Sequence, residues 1–311
     1  MSGRLKASTR EITLTGTTKF HHESGQRRSE LVGWLYISPS LLINSVFLLF
    51  PVVATLLLAF TTWNGLEDPS WTGFANFVDI FASPAFWQAL INNGKWTVIF
   101  LTVPIALALL AAAALFRARR LRFLQTIFLI PYILPTVLQA RIWQGMIFNP
   151  ESGVFGWLSK HGISIPDPLI NTDTSLYGIA LVNLWAWWGF LTVIFFAAFR
   201  QIDKELLDAA RVEGAGFWSQ LFRIQIPLIK PTVLFMLIMT FVWSFLIFDY
   251  VYVLTDGGPA GSSEVLSTLA YRYGFERFEF GKAAAISAFA GLLGMMAILF
   301  YIWLQKRGVE R

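Results

Sequence analysis

The chain has 311 residues, 56% of them hydrophobic and 14% charged, with a mean hydropathy of +0.59. Soluble domains carry roughly 25% charged residues, so most of this chain belongs in lipid. The formal charge of +5 does not indicate nucleic acid, because the basic residues sit where membrane topology puts them, and the absence of cysteine excludes disulfides, a thiol nucleophile and a thiolate metal site.

The polar stretch 1–30 carries Arg4, Lys6, Arg10, Lys19, Arg27 and Arg28 and reads as a loosely structured tail. Its apolar core comes too late for a cleavable signal peptide, so the run beginning at Leu31 is expected to act as an uncleaved anchor. Six segments reach the ~20 apolar residues that span a bilayer. They are Leu31–Phe60, Gln88–Phe116, Phe123–Phe148, Leu176–Phe199, Pro231–Leu254 and Lys282–Leu304. Each must be helical, since an isolated span satisfies its backbone only internally. The expected fold is therefore all-α, a polytopic membrane domain over 31–304 with a C-terminal tail over 305–311. Pro39, Pro51, Pro104, Pro131 and Pro135 are expected to kink the spans. In the last span, Ala283, Ser287 and Gly291, with Ala290 and Gly294 beside them, read as a close-packing ridge within the chain or, less favoured, at a subunit interface.

Orientation follows from Lys and Arg in the flanks. The tail, the link holding Arg117, Arg119, Arg120 and Arg122, the stretch from Arg200 to Lys230, and the C-terminus hold 18 of the 24 basic residues. Both termini and the 203–230 loop are thus expected in the cytoplasm. The opposite loops are richer in acid, with Glu67, Asp68, Asp79, Glu151, Asp167, Asp173, Asp256 and Glu264.

No catalytic constellation stands out. Gly281-Lys282 is followed by Ala283, and Gly274 lies too far upstream for a phosphate loop. His21 and His22 are adjacent and His161 is alone, which favours solvated histidines over metal ligands. The chain reads as a non-enzyme with no cofactor of its own.

The most ordered polar segment is the 203–230 loop. Asp203 can cap a helix through Leu206, Leu207, Ala209 and Ala210, which Gly214 and Gly216 end. Phe217 to Ile224 can form a second short helix before Pro227 and Pro231 redirect the chain. Asp208-Ala209-Ala210, then Gly214, then Ile224-Gln225-Ile226-Pro227 resembles the coupling-loop signature of ABC importer permeases, a Glu-Ala-Ala triplet, three positions, a glycine and a downstream Ile-x-Leu-Pro. Asp208 stands where Glu is usual, Glu213 where Asp is usual, and Ile226 where Leu is usual.

The stretches Thr255 to Pro259, Tyr271 to Ala285, and Pro131 to Pro135 with Trp143 and Asn149-Pro150 are similar to the carbohydrate-uptake branch, of maltose or glycerol-3-phosphate type. The resemblance covers roughly 31–304 and implies the type I ABC importer permease fold in a bacterial or archaeal inner membrane. It also implies a heterodimer with a second permease, two ATP-binding subunits that hold ATP and Mg, an extracytoplasmic solute-binding protein and a carbohydrate substrate. Asp208, Ala209, Ala210, Glu213, Gly214, Ala215, Phe217, Phe222, Ile226 and Pro227 would then contact the ATP-binding subunit.

Substrate-path candidates follow from residue type alone, because polar and aromatic groups inside spans are costly and bind sugars well. They are Asn92, Asn93, Gln139, Arg141, Trp143, Asn183, Trp187, Asp249, Tyr250 and Tyr252, with Trp185 and Trp188 adjacent. The alternatives are interface anchoring for Trp, interhelical bonding for Asn, and an ion pair between Asp249 and Arg141. A phosphorylated substrate would need basic residues along the path, and Arg141 is the one good candidate. A stand-alone secondary transporter is the main rival. It should show carboxylate relays and repeats, whereas Asp249 is the one plausible intramembrane acid.

Overall fold

The computed structural model describes residues 19–116 and 121–309. The basic residues Arg4, Lys6, Arg10, Arg117, Arg119, Arg120 and Arg311 lie outside the described residues. The chain divides into two compact units, Met1–Ala54 and Thr55–Arg311.

The first helix starts at Lys19, well before the expected boundary at Leu31. Residues 19–30 are mostly good helix formers with a single glycine, so the helix nucleated in the apolar run extends into them. A wide π-type turn at Ser45–Leu49 precedes Pro51. The proline ring cannot tolerate the carbonyl four residues back, and the wider turn moves it away. Pro39 and Pro104, by contrast, sit inside uninterrupted helices.

Among the described residues, four helices are long and apolar enough to span a membrane: Val32–Leu58, Pro84–Leu115, Ser175–Phe199 and Phe280–Trp303. Two more candidates are broken, Phe123–Ile133 with Thr136–Phe148 at 96°, and Phe217–Leu228 with Lys230–Phe245 at 76°. The first broken pair is the expected third span, and Lys230–Phe245 carries the expected fifth, with Phe217–Leu228 bent away from it. The first break falls at Leu134-Pro135, where proline forces the preceding residue out of helical geometry.

The fifth span ends at Phe245 rather than at Leu254, and Asp249–Leu254 forms a separate helix packed on Thr136–Ile142. No glycine or proline marks this break. Its cause is tertiary: the Ser244 carbonyl accepts from Asn93 Nδ2 at 2.9 Å, and the Ile247 carbonyl accepts from Ser267 Oγ. Both carbonyls are engaged by side chains from other elements. The last helix runs Phe280–Val309, through most of the expected tail.

Ser175–Phe199 is the hub. It packs most extensively on Pro84–Leu115 and next on Leu121–Ile133. Gly189 permits the second contact, since a Cβ there would lie 2.1 Å from the Phe128 carbonyl oxygen. A small antiparallel hairpin, Thr61–Thr62 with Ser70–Trp71, braces the start of the sixth span. There Phe280 N donates to the Trp63 carbonyl at 3.0 Å. The small-residue ridge of the sixth span packs within the chain in part: Ala283 and Ala290 lie against the buried cluster around Phe86 and Ile286, but its glycine end does not. Gly291 and Gly294 have nothing within 4 Å of a built Cβ, and they line an open apolar groove with Val242 and Phe245.

Candidate functional site

Where the third span breaks, the chain opens a cavity of about 480 Å³. Tyr132, Thr136 and Gln139 come from the two sides of the break, Asn183 and Trp187 from the fourth span, and Thr240 and Trp243 from the fifth. Phe248, Asp249 and Tyr250 close it at the start of the short helix. Non-helical backbone at membrane depth is tolerated where it lines a cavity or is buried in protein, and this break does line one.

The polar groups are arranged by the break itself. Gln139 Nε2 donates to the freed Leu134 carbonyl at 2.7 Å, which turns its Oε1 to accept from the Tyr250 hydroxyl at 2.6 Å. Thr136 Oγ1 donates to Asp249 Oδ2 at 2.7 Å. The apolar wall is aromatic: Trp187 meets Trp243 edge to face at 4.6 Å, and Trp96 stacks on Phe100 at 4.7 Å. Trp187 Nε1 and Thr240 Oγ1 are buried without a hydrogen-bond partner.

Of the ten path candidates, the structure brings Gln139, Asn183, Trp187, Asp249 and Tyr250 to this cavity and leaves five elsewhere. Asn92 Nδ2 donates to the Glu264 carbonyl at 2.8 Å, and Asn93 bridges the Ser244 carbonyl and Leu266 N; both are fully buried. Trp143 packs on Trp185 and Phe148. Tyr252 stacks on Phe248 outside the cavity lining. Arg141 donates to Gln144 Oε1 at 2.7 Å and does not pair with Asp249, whose partner is Thr136. Cavity residues that residue type alone missed include Trp96, Tyr132, Thr136, Thr240, Trp243 and Phe248. The spaced prolines Pro131 and Pro135 were the available signal for Tyr132 and Thr136.

The 203–230 loop lies at the other end of the fifth span. Asp203 Oδ1 accepts from Glu205 N at 3.0 Å and caps Lys204–Val212. That helix closes in a Schellman motif. Gly214 adopts φ +84°, its N–H reaches the Arg211 carbonyl, and Ala215 N reaches the Ala210 carbonyl at 2.9 Å. Phe217–Gln220 continues through a π-type turn, Leu221–Gln225, ahead of Pro227. Leu207 and Leu221 anchor the loop in the core. Asp208, Ala209, Glu213, Gly214, Phe222 and Pro227 are exposed, while Ala210, Ala215, Phe217 and Ile226 are half-buried. Val212, Trp218 and Phe222 add exposed apolar surface, with Trp218 and Phe222 stacked at 6.0 Å.

Residues 104–309 match the family described as binding-protein-dependent transport system inner membrane component. The chain belongs to this family. It is 34% identical to a probable ABC transporter permease of Pyrococcus horikoshii, over 89% of this chain and 96% of that one. It is 28% identical to the trehalose/maltose transport system permease protein MalF of Thermococcus litoralis, over 88% and 94% of the two chains. A chain of a crystallised bacterial ABC transporter that imports the acidic polysaccharide alginate shares the fold, with TM-score 0.81 and 24% identity over 92% and 99%. The protein is therefore a multi-pass inner-membrane permease subunit, non-catalytic in itself, of a binding-protein-dependent importer.

Proposed function

We propose that this permease carries a neutral sugar through the cavity at the third-span break and receives its driving force through the 203–230 loop. The observation that carries the substrate class is the cavity wall. It combines Trp187, Trp243 and Tyr132 with Gln139, Asn183, Thr240 and one acid, Asp249, and none of its lining residues is basic. Aromatic faces with converging hydrogen-bonding groups suit a sugar, whereas a phosphate calls for Arg or Lys. The MalF relative, named for trehalose and maltose, supports the same reading. A phosphorylated polyol is disfavoured because Arg141 stands away from the cavity.

Coupling is proposed to work as follows. Two ATP-binding subunits, which hold ATP and Mg, grip the exposed face around Glu213, Gly214, Trp218 and Phe222. A second permease completes the path, and a solute-binding protein delivers sugar at the opposite end. The Lys and Arg distribution supports placing the loop and both termini in the cytoplasm.

The test is uptake of labelled maltose, trehalose, lactose and glycerol 3-phosphate by the reconstituted complex. Wild type should accumulate a sugar and not the phosphate. Trp187→Ala should lower sugar uptake about tenfold or more through the lost aromatic wall, with the complex intact. Accumulation of glycerol 3-phosphate alone would contradict the reading.

A further inference from the structure

Six aromatic rings continue outward from the cavity, and no role in coupling or in the cavity itself accounts for them. Phe248 lines the cavity and stacks on Tyr252 at 5.1 Å. Tyr252 meets Tyr271 at 5.2 Å, and Tyr271 stacks on Phe275 at 5.0 Å. Phe275 meets Phe280 at 6.0 Å, and Phe280 meets Trp63 at 5.2 Å. The rings come from four separate places: the short helix after the fifth span, the turn around Tyr271 to Phe275, the head of the sixth span, and the outer hairpin. All lie at the end of the molecule opposite the 203–230 loop.

Burial in a core does not explain the run. Phe275 is 63% exposed and Tyr252 38% exposed, although both sit in ordered aromatic contacts. Asp249, Asp256 and Glu276, close to the run in sequence, are also exposed; Thr136 donates to Asp249, and Arg272 lies 3.6 Å from both Asp256 and Glu276. The contacts, two stacked and two edge to face at 5.0 to 6.0 Å, make the run continuous from Phe248 to Phe280.

We infer that this is a sugar-guiding track: a low-specificity binding path along which pyranose faces stack in sequence between the outer surface and the cavity. The inference rests on the sugar reading above. Its chemistry is the apolar C–H face of the sugar against aromatic rings, with the hydroxyls left to water. A graded series of weak contacts would let a sugar advance without being trapped.

The experiment uses the full reconstituted complex with the sugar from the panel that wild type accumulates. Phe275 is the residue to vary, since its exposure makes it dispensable for folding. Phe275→Ala and Phe275→Leu should each lower the uptake rate about tenfold, the worth of one aromatic contact. Phe275→Tyr should keep it, and each variant should purify with its partner subunits. Uptake by Phe275→Leu equal to wild type would overturn the track, because leucine keeps the apolar bulk but offers no ring face. Release of the second permease by the variants would also overturn it, assigning the face to a subunit contact. Wild type that accumulates no sugar would remove the sugar reading and the track with it, a failure visible before any variant is compared.

Discussion

The two ends of the molecule are held together by different physics. At the end opposite the 203–230 loop, buried and half-buried side chains stitch distant segments. Asn93 ties the second span to Ser244 and Leu266, Thr97 bonds Ser244 at 2.6 Å, and Arg272 lies within 3.2 Å of Glu264 and 3.6 Å of Asp256. At the loop end, order is local. One side-chain cap and one Schellman turn shape 203–230, Leu207, Leu221 and Ile229 hold it to the core, and Trp218 and Phe222 are left exposed. Buried polar stitches are costly to break, so the end opposite the loop is built to hold one arrangement. A segment that carries its own shape on a few apolar anchors can instead be gripped and moved as a body.

The largest effect should come from cutting a stitch. Asn93→Leu strands the buried Ser244 carbonyl and Leu266 N–H, a loss of about 4 kcal/mol at 1–3 kcal/mol for each unsatisfied group. Thermal unfolding of the detergent-solubilised complex should report it as a marked fall in Tm. An unchanged Tm would mean that the end opposite the loop is not held by these bonds.

Arg272→Met should come next, costing about 3 kcal/mol near neutral pH, because Glu264 would be left as a largely buried, uncompensated carboxylate. Burial already pushes the Glu264 carboxyl above its ordinary range, against the opposing pull of Thr268 and Arg272. A carboxyl raised in the folded state binds its proton more tightly there than in the unfolded chain. Its contribution to stability is thus fully present below the ordinary carboxylate range and is lost as pH rises through the raised value. The deficit of the variant should therefore shrink on acidification, and a deficit that grows in acid would reverse this assignment.

The smallest effect on stability should come from the loop. Gly214→Val meets open space, so its cost is the strain of a positive φ, about 1–2 kcal/mol and local. Tm of the body should hardly move while sugar uptake is lost. A large fall in Tm would place the loop among the stitched elements and remove the contrast.

The same division explains what the sequence reveals. The loop was legible because Asp203, Gly214 and Pro227 are local signals, each acting on backbone within a few residues. The straight spans were legible from apolar length. The break after Phe245 was not, since its causes, Asn93 and Ser267, lie 151 and 20 residues from the carbonyls they engage. Asn92 and Asn93 invited a path assignment for the same reason: an amide in a span shows that a partner exists without saying which. Trp187, Asp249 and Tyr250 reached the cavity, whereas Tyr132 and Thr136 were hidden behind a proline pair whose 96° bend no local pattern sets.

The most direct measurement is gentle affinity purification of the tagged chain from native membranes, wild type beside Glu213→Lys. Glu213 is exposed at the turn that ends the first loop helix, so charge reversal there should leave the fold intact. The expected result is recovery of a second permease and an ATP-binding subunit with wild type, and loss of the ATP-binding subunit alone with the variant. Recovery of a solitary, folded chain that still transports would contradict the coupling role of the loop.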